Sequence, residues 1–155
     1  MSCAQVDKYD VISIGEASIS GIQLGSTEEE LLAQLGDYDS LSIFFDPIVD
    51  EDTAKRYYYQ KSFFDVEQGQ VAGFNISDED HPLNYQQIRV NDSINDIKAI
   101  FPKSYEQLSE KEKAASAQTL VIYVGNVQKD ITYDVEVHLV ISEGLVNHII
   151  LWTPL

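Results

Sequence analysis

The chain predicts an α+β protein built from two tandem helix-plus-antiparallel-sheet repeats, with the two sheets joined and the helices on one face. Three observations predict it. A short segment of helical periodicity recurs once with matching boundaries, each occurrence is followed by stretches that alternate apolar and polar residues, and a glycine-centred hairpin closes both copies.

Residues 1–17 precede the repeat as an N-terminal segment, and the first copy runs over 18–77. Its first element is a short strand at Ile22-Gln23-Leu24. After Gly25 the run Thr27-Glu28-Glu29-Glu30-Leu31-Leu32-Ala33-Gln34-Leu35-Gly36 reads as a helix of about three turns. Thr27 or Ser26 supplies the N-cap oxygen, Glu29 or Glu30 can reach back to it, and Gly36 ends the helix. Leu31, Leu32 and Leu35 recur at the spacing of one buried face. Strands follow near Leu41–Phe45, Arg56–Val66 and Gln70–Ile76, the last two joined through Gly69.

Residues 78–87 form the linker, an acidic, proline-broken surface loop that reads Ser77-Asp78-Glu79-Asp80-His81-Pro82-Leu83-Asn84 from the end of the first copy. The second copy, 88–155, repeats the order without a gap. Ile88-Arg89-Val90 falls on Ile22-Gln23-Leu24, and Ser93-Ile94-Asn95-Asp96-Ile97-Lys98-Ala99-Ile100-Phe101-Pro102 falls on the first helix. Ser93 is its cap, Asp96 a weaker partner for a capping box, and Pro102 blocks continuation. Ile94, Ile97, Ile100 and Phe101 form the buried stripe. The second copy is longer, and the polar, alanine-rich Ser109–Gln118 is where the extra residues enter, as an added helical turn. Strands near Thr119–Val124, Tyr133–Ser142 and Leu145–Trp152 complete it, with Gly144 in the place of Gly69.

A chain of 155 residues, 44% apolar and 23% charged, is long and apolar enough for a real core. Its formal net charge of −16 repels nucleic acid and anionic lipid and attracts a basic protein surface or cations, although the same charge also serves solubility alone. The single cysteine, Cys3, excludes an internal disulfide and a cysteine-based metal site. No apolar run is long enough to span a bilayer. Ser2-Cys3-Ala4-Gln5 has the form of a mature bacterial lipoprotein start, which makes Cys3 a candidate lipidation site and places the chain in the cell envelope or periplasm. The alternative is a cytoplasmic protein that begins Met-Ser-Cys.

Chemistry is sparse. His81, His138 and His148 have no ligand spacing, and the acidic run Asp46, Asp50, Glu51, Asp52 lacks the glycine and terminal glutamate of an EF-hand. Gly15, Gly21 and Gly25 are too scattered for a phosphate loop, and no nucleophile elbow is present. The residues imply neither a metal nor a cofactor, and point to binding rather than catalysis.

The unit of strand, glycine, hydroxyl cap, acid-rich helix ending Leu-Gly and three antiparallel strands resembles the beta-lactamase-inhibitor-protein-like (BLIP-like) repeat, shared in architecture with small envelope lipoproteins of the SmpA/OmlA type. Leu24-Gly25-Ser26-Thr27-Glu28-Glu29, Leu35-Gly36 and the Gly69 hairpin carry the resemblance, and the second copy departs from it at Asn91 and Pro102. It implies a non-catalytic binder that grips a partner on the sheet face made by both repeats.

Strand phase then selects that face. In Tyr133–Ile141 the residues Tyr133, Val135, Val137, Leu139 and Ile141 form the buried row, leaving Asp134, Glu136 and His138 outward. Carrying the phase to the first copy buries Tyr58, Gln60, Ser62, Phe64 and Val66 and turns out Tyr57, Tyr59, Lys61 and Phe63. In the last strands Phe74, Ile76, Ile149 and Leu151 are inward, and Asn75, His148, Ile150 and Trp152 outward. The expected partner-binding set is therefore Tyr57, Tyr59, Phe63, Asp134, Glu136, His138, His148 and Trp152, either as a contact surface or as a second core. Two functions fit: an inhibitor or immunity-type protein that caps a basic enzyme or toxin, and an envelope lipoprotein acting as an assembly or scaffold module. A small-ligand carrier with the sheet as pocket wall is a weaker third.

Overall fold

The computed structural model describes residues 8–45 and 53–153, so Cys3 and the acidic stretch from Asp46 to Asp52 lie outside the described residues. The fold is α+β. One eight-stranded mixed sheet runs in the order β1-β6-β7-β8-β5-β4-β3-β2. Its strands are β1 (Val11–Ile12), β2 (Ser40–Phe45), β3 (Thr53–Tyr59), β4 (Ser62–Glu67), β5 (Gln70–Ile76), β6 (Ala117–Asn126), β7 (Ile131–Ser142) and β8 (Leu145–Trp152). The helices are α1 (Glu28–Leu35), α2 (Ile94–Ile100), α3 (Pro102–Glu106) and α4 (Glu110–Ala114).

Both expected helices form, and both are shorter than three turns. Thr27 caps α1 by accepting from the Glu30 amide, and Ser93 caps α2 by accepting from the Asn95 amide. Isolated segments of this length are marginal in water, so tertiary contacts must hold them. Leu31, Ile97 and Phe101, all fully buried, supply those contacts. Pro102 does not simply stop the second helix. It opens α3, because a residue without an amide hydrogen suits the first helical position. Helix α4 takes up only Glu110–Ala114 of the Ser109–Gln118 stretch, whose last residues, Ala117 and Gln118, begin β6, and it carries a complete Ser109/Glu112 capping box. Across the turn Gln118 donates to the Ala115 carbonyl at 2.5 Å and the Glu112 carbonyl at 3.1 Å, satisfying the end of the helix.

The hairpins β4–β5 and β7–β8 are tied to the helices by corresponding bonds. The Gly25 amide donates to Val71 O (2.9 Å), Val71 N to Ser26 O (2.7 Å) and Glu28 N to Gly69 O (2.9 Å). In the later hairpin Asn91 N donates to Val146 O (2.7 Å), Val146 N to Asp92 O (2.9 Å) and Ile94 N to Gly144 O (2.8 Å). Both turns place a glycine at positive φ, 75° at Gly69 and 79° at Gly144. Both hairpins also shift register close to the turn, on the strand that leads into it, between Asp65 and Val66 and between Val140 and Ile141.

Several sequence expectations change. The opening strand expected in each copy does not form: Ile22 makes only an isolated bridge to Ile19 before a turn at Leu24, and Ile88-Arg89-Val90 is irregular. Arg56–Val66 is two strands rather than one, since the chain turns at Gln60-Lys61 and pairs Tyr59 with Ser62. Val11-Ile12, placed in the N-terminal segment, is a parallel edge strand on β6, with Val11 opposite Tyr123. Leu83, placed in the surface linker, is fully buried and bridges to Ile19. One core results: the inward rows of β4, β5, β7 and β8 meet Leu31, Ile97 and Phe101 in a single cluster. The opposite face of the sheet carries no helix among the described residues.

Candidate interaction face of the sheet

The two-residue turn at Gln60-Lys61 decides which aromatic rings reach the open face. In an unbroken strand, odd residues on either side of it would share a face. With Tyr59 paired to Ser62 the parity inverts, so Tyr57 lies opposite Phe64 and Tyr58 opposite Phe63. Tyr57 and Tyr59 therefore point to the helices, 4% and 6% exposed, which corrects their assignment to the outer face. Their hydroxyls hold α1: Tyr57 donates to the Glu28 carboxylate, and Tyr59 to the Gly36 carbonyl at 3.1 Å. Lys55 adds a bond to the same carboxylate at 2.9 Å. These partners hold the Glu28 carboxyl below its ordinary range, Tyr57 contributing most. Burial pushes the phenols of Tyr57 and Tyr59 upward, in Tyr57 with help from the Glu28 charge.

Phe63 does lie on the open face, with residues that sequence phase had left out. Arg56 stacks on the Phe63 ring at 3.8 Å and forks onto Asp65, Nε to Oδ1 at 2.7 Å and an Nη to Oδ2 at 3.1 Å. Asp65 raises the affinity of that guanidinium for its proton. The exposed ring of Phe44 lies 5.8 Å from the same guanidinium. The missing signal was the hairpin itself, which sets Arg56 opposite Asp65.

On β7 and β8 the expected phase holds over most of the length. Val135, Val137, Leu139, Ile141, Ile149 and Leu151 are inward, and Glu136, His138, His148 and Trp152 are on the open face. Tyr133, expected inward, is 37% exposed, because the β6–β7 register shifts between Tyr123 and Gly125 and the alternation slips there. Asp134 is exposed beside it. Glu136 bonds His138 at 2.7 Å, and the imidazole lies nearly parallel to the Trp152 indole, 5.6 Å between centroids. His148 bonds Ser77 Oγ at 2.9 Å and Asn75 Oδ1 at 3.0 Å, away from that stack. The expected residues thus divide into a Glu136, His138, Trp152 group, a separate His148 group and Phe63 with its arginine, while Tyr57 and Tyr59 belong to the other side.

Between the first and third groups runs the β5–β8 seam, where only Phe74/Leu151, Asn75/Ile150 and Ile76/Ile149 pair. A depression of about 270 Å³ opens there, lined by Arg56, Phe63, Asp65, Glu67, Gly73 and Trp152 among others. Among the described residues no helix is long and apolar enough to cross a membrane. Set against known proteins, the chain matches no family model, no curated protein and no solved structure.

Proposed function

We propose that this chain is a non-catalytic protein-binding module of the BLIP-like kind, in which two tandem copies of one helix-and-sheet unit present a shared open face to a basic enzyme or toxin, as an inhibitor or immunity-type protein. The observation that carries the reading is the uncovered sheet face itself. It gathers Phe44, Phe63 and Trp152 with Asp65, Glu67 and Glu136, in a chain of net charge −16. Rings bury large area at small entropic cost, and the surrounding field steers a basic partner. The tandem part rests on the matched bonds of Gly25, Ser26 and Glu28 with one hairpin and of Asn91, Asp92 and Ile94 with the other, and on Asn91 taking a φ of 78° where Gly25 has 87°. The test is affinity capture with immobilised wild type and a Phe63→Ala/Trp152→Ala variant. A basic protein retained by wild type at low salt, released at high salt and lost by the variant is the expected result. Equal retention by both forms, or no basic protein on either, ends the reading.

A second reading, an envelope lipoprotein serving as an assembly or scaffold module, is favoured by the Ser2-Cys3-Ala4-Gln5 sequence. It requires the natural gene product to incorporate labelled fatty acid in cells and to lose the label on Cys3→Ser. A product that takes up no label removes it.

A further inference from the structure

We infer that the depression at the β5–β8 seam is the anchor pocket for an arginine side chain of the basic partner. This inference rests on the binding reading above and names the chemistry at its centre. The pocket exists because one position in a row of side chains is empty. Across the open face one register row runs from Arg56 to Asp65 to Gly73 and resumes beyond the seam at Trp152 on β8, opposite Glu136 on β7. Gly73 contributes no side chain, and none fits: a Cβ there would stand 2.9 Å from the Leu151 carbonyl oxygen. The gap is thus a consequence of the close approach of β5 and β8, and its walls are the neighbours on either side.

Those walls suit a guanidinium. One is the Phe63 ring with Asp65, and the structure already holds a guanidinium there, Arg56, stacked and forked at once. The other is Trp152, 43% exposed; Glu67, two residues on from Asp65 along β4, borders the same depression, and its carboxylate has no hydrogen bond or ion pair among the described residues. Rings therefore stand on both sides, and two carboxylates on the β4 side, of which the native cation engages only Asp65. A planar guanidinium can stack on an indole and fork onto a carboxylate together, which a lysine ammonium cannot. The volume is at the small end for a ligand pocket and accommodates one long side chain rather than a larger molecule. Its place at the middle of an eight-stranded face is where an anchor residue is best shielded from water.

Trp152 is the only tryptophan in the chain, so its fluorescence reports on this pocket alone. The intact protein is titrated with N-acetyl-arginine-N-methylamide, and with the leucine derivative as a neutral control. A saturable change with the arginine derivative and none with leucine is expected. Glu67→Gln, an exposed position, should weaken the arginine derivative by about tenfold without altering the unfolding midpoint. Equal affinity in Glu67→Gln, or an equal response to leucine, overturns the pocket. The capture experiment separates the two levels. Loss of a basic partner by Phe63→Ala/Trp152→Ala, with no competition from the arginine derivative, overturns the arginine anchor and leaves the binding face standing; capture indifferent to both substitutions overturns the face.

Discussion

The two main helices sit against the same sheet by different chemistry. Helix α1 buries one residue completely, Leu31, and is otherwise held by polar hooks: the Tyr57 hydroxyl and Lys55 ammonium at its first turn and the Tyr59 hydroxyl at its end. Helix α2 has no such hooks among the described residues. It is held by Ile97 and by Phe101, whose ring stacks on Tyr85 at 5.5 Å, and by the continuation into α3. There Ser104 and Asp10 exchange two bonds, Ser104 N to Asp10 Oδ2 at 2.9 Å and Asp10 N to Ser104 Oγ at 3.1 Å. The same docking onto a hairpin turn can therefore be secured by directional hydroxyls or by apolar volume, and the two solutions should fail differently.

The largest difference should come from removing volume beneath α2. Phe101→Ala is expected to cost about 3–5 kcal/mol in urea unfolding, since the ring leaves a cavity in a closed core. Next comes the polar hook: Tyr57→Phe should cost about 1–3 kcal/mol and raise hydrogen exchange in α1 while leaving α2 protected. If both helices loosen together, the two attachments are not independent. The hairpin turns should be nearly equal: Gly69→Ala and Gly144→Ala each force a side chain to positive φ, with no clash from neighbouring atoms, and should each cost about 1–2 kcal/mol. A cost confined to one turn would break the correspondence of the two hairpins.

The smallest effect is in pH. The folded-state pKa of Glu28 is depressed, so its contribution is present above the ordinary carboxylate value and is lost as pH falls through the folded value. Stability should decline on the acid side of about pH 4.5, and Glu28→Gln should flatten that part of the curve. The tyrosines act in the opposite sense. Their raised values mean that stability is complete below pH 10.0, the ordinary phenol value, and falls as pH rises beyond it, with Tyr57→Phe removing part of the alkaline slope.

Much of this fold was legible because its signals are local. Thr27, Ser93 and Gly36 mark helix ends by their own backbone needs, and Gly69 and Gly144 mark turns in the same way. The outward row His148, Ile150, Trp152 follows from simple alternation. What failed was carrying that phase across Gln60-Lys61, where the turn contains no glycine, proline or asparagine and Gln60 itself adopts a φ of 58°. The available warning was length, since an eleven-residue strand over Arg56–Val66 is long beside the usual five or six. Tyr133 failed because the register shift opposite it is marked only by Gly125, a glycine inside β6 where a Cβ would meet the Ile131 carbonyl, and that sign lies on the partner strand. The Arg56, Asp65 and Phe63 arrangement was hidden by the same turn, because cross-strand neighbours cannot be named until the turn is placed. The Gly73 gap was not legible at all, since it depends on how closely two distant strands approach.

The bonds from Glu28 N to Gly69 O and from Ile94 N to Gly144 O have a consequence for the order of events during synthesis. Each helix precedes by some forty to fifty residues the turn that receives its first amides, and at eight residues or fewer neither helix is long enough to persist by itself. As the chain leaves the ribosome, α1 must wait for β5 and α2 for β8. Strand β8, the last of the described strands, carries Trp152 and thereby completes the second helix and the open face in one step.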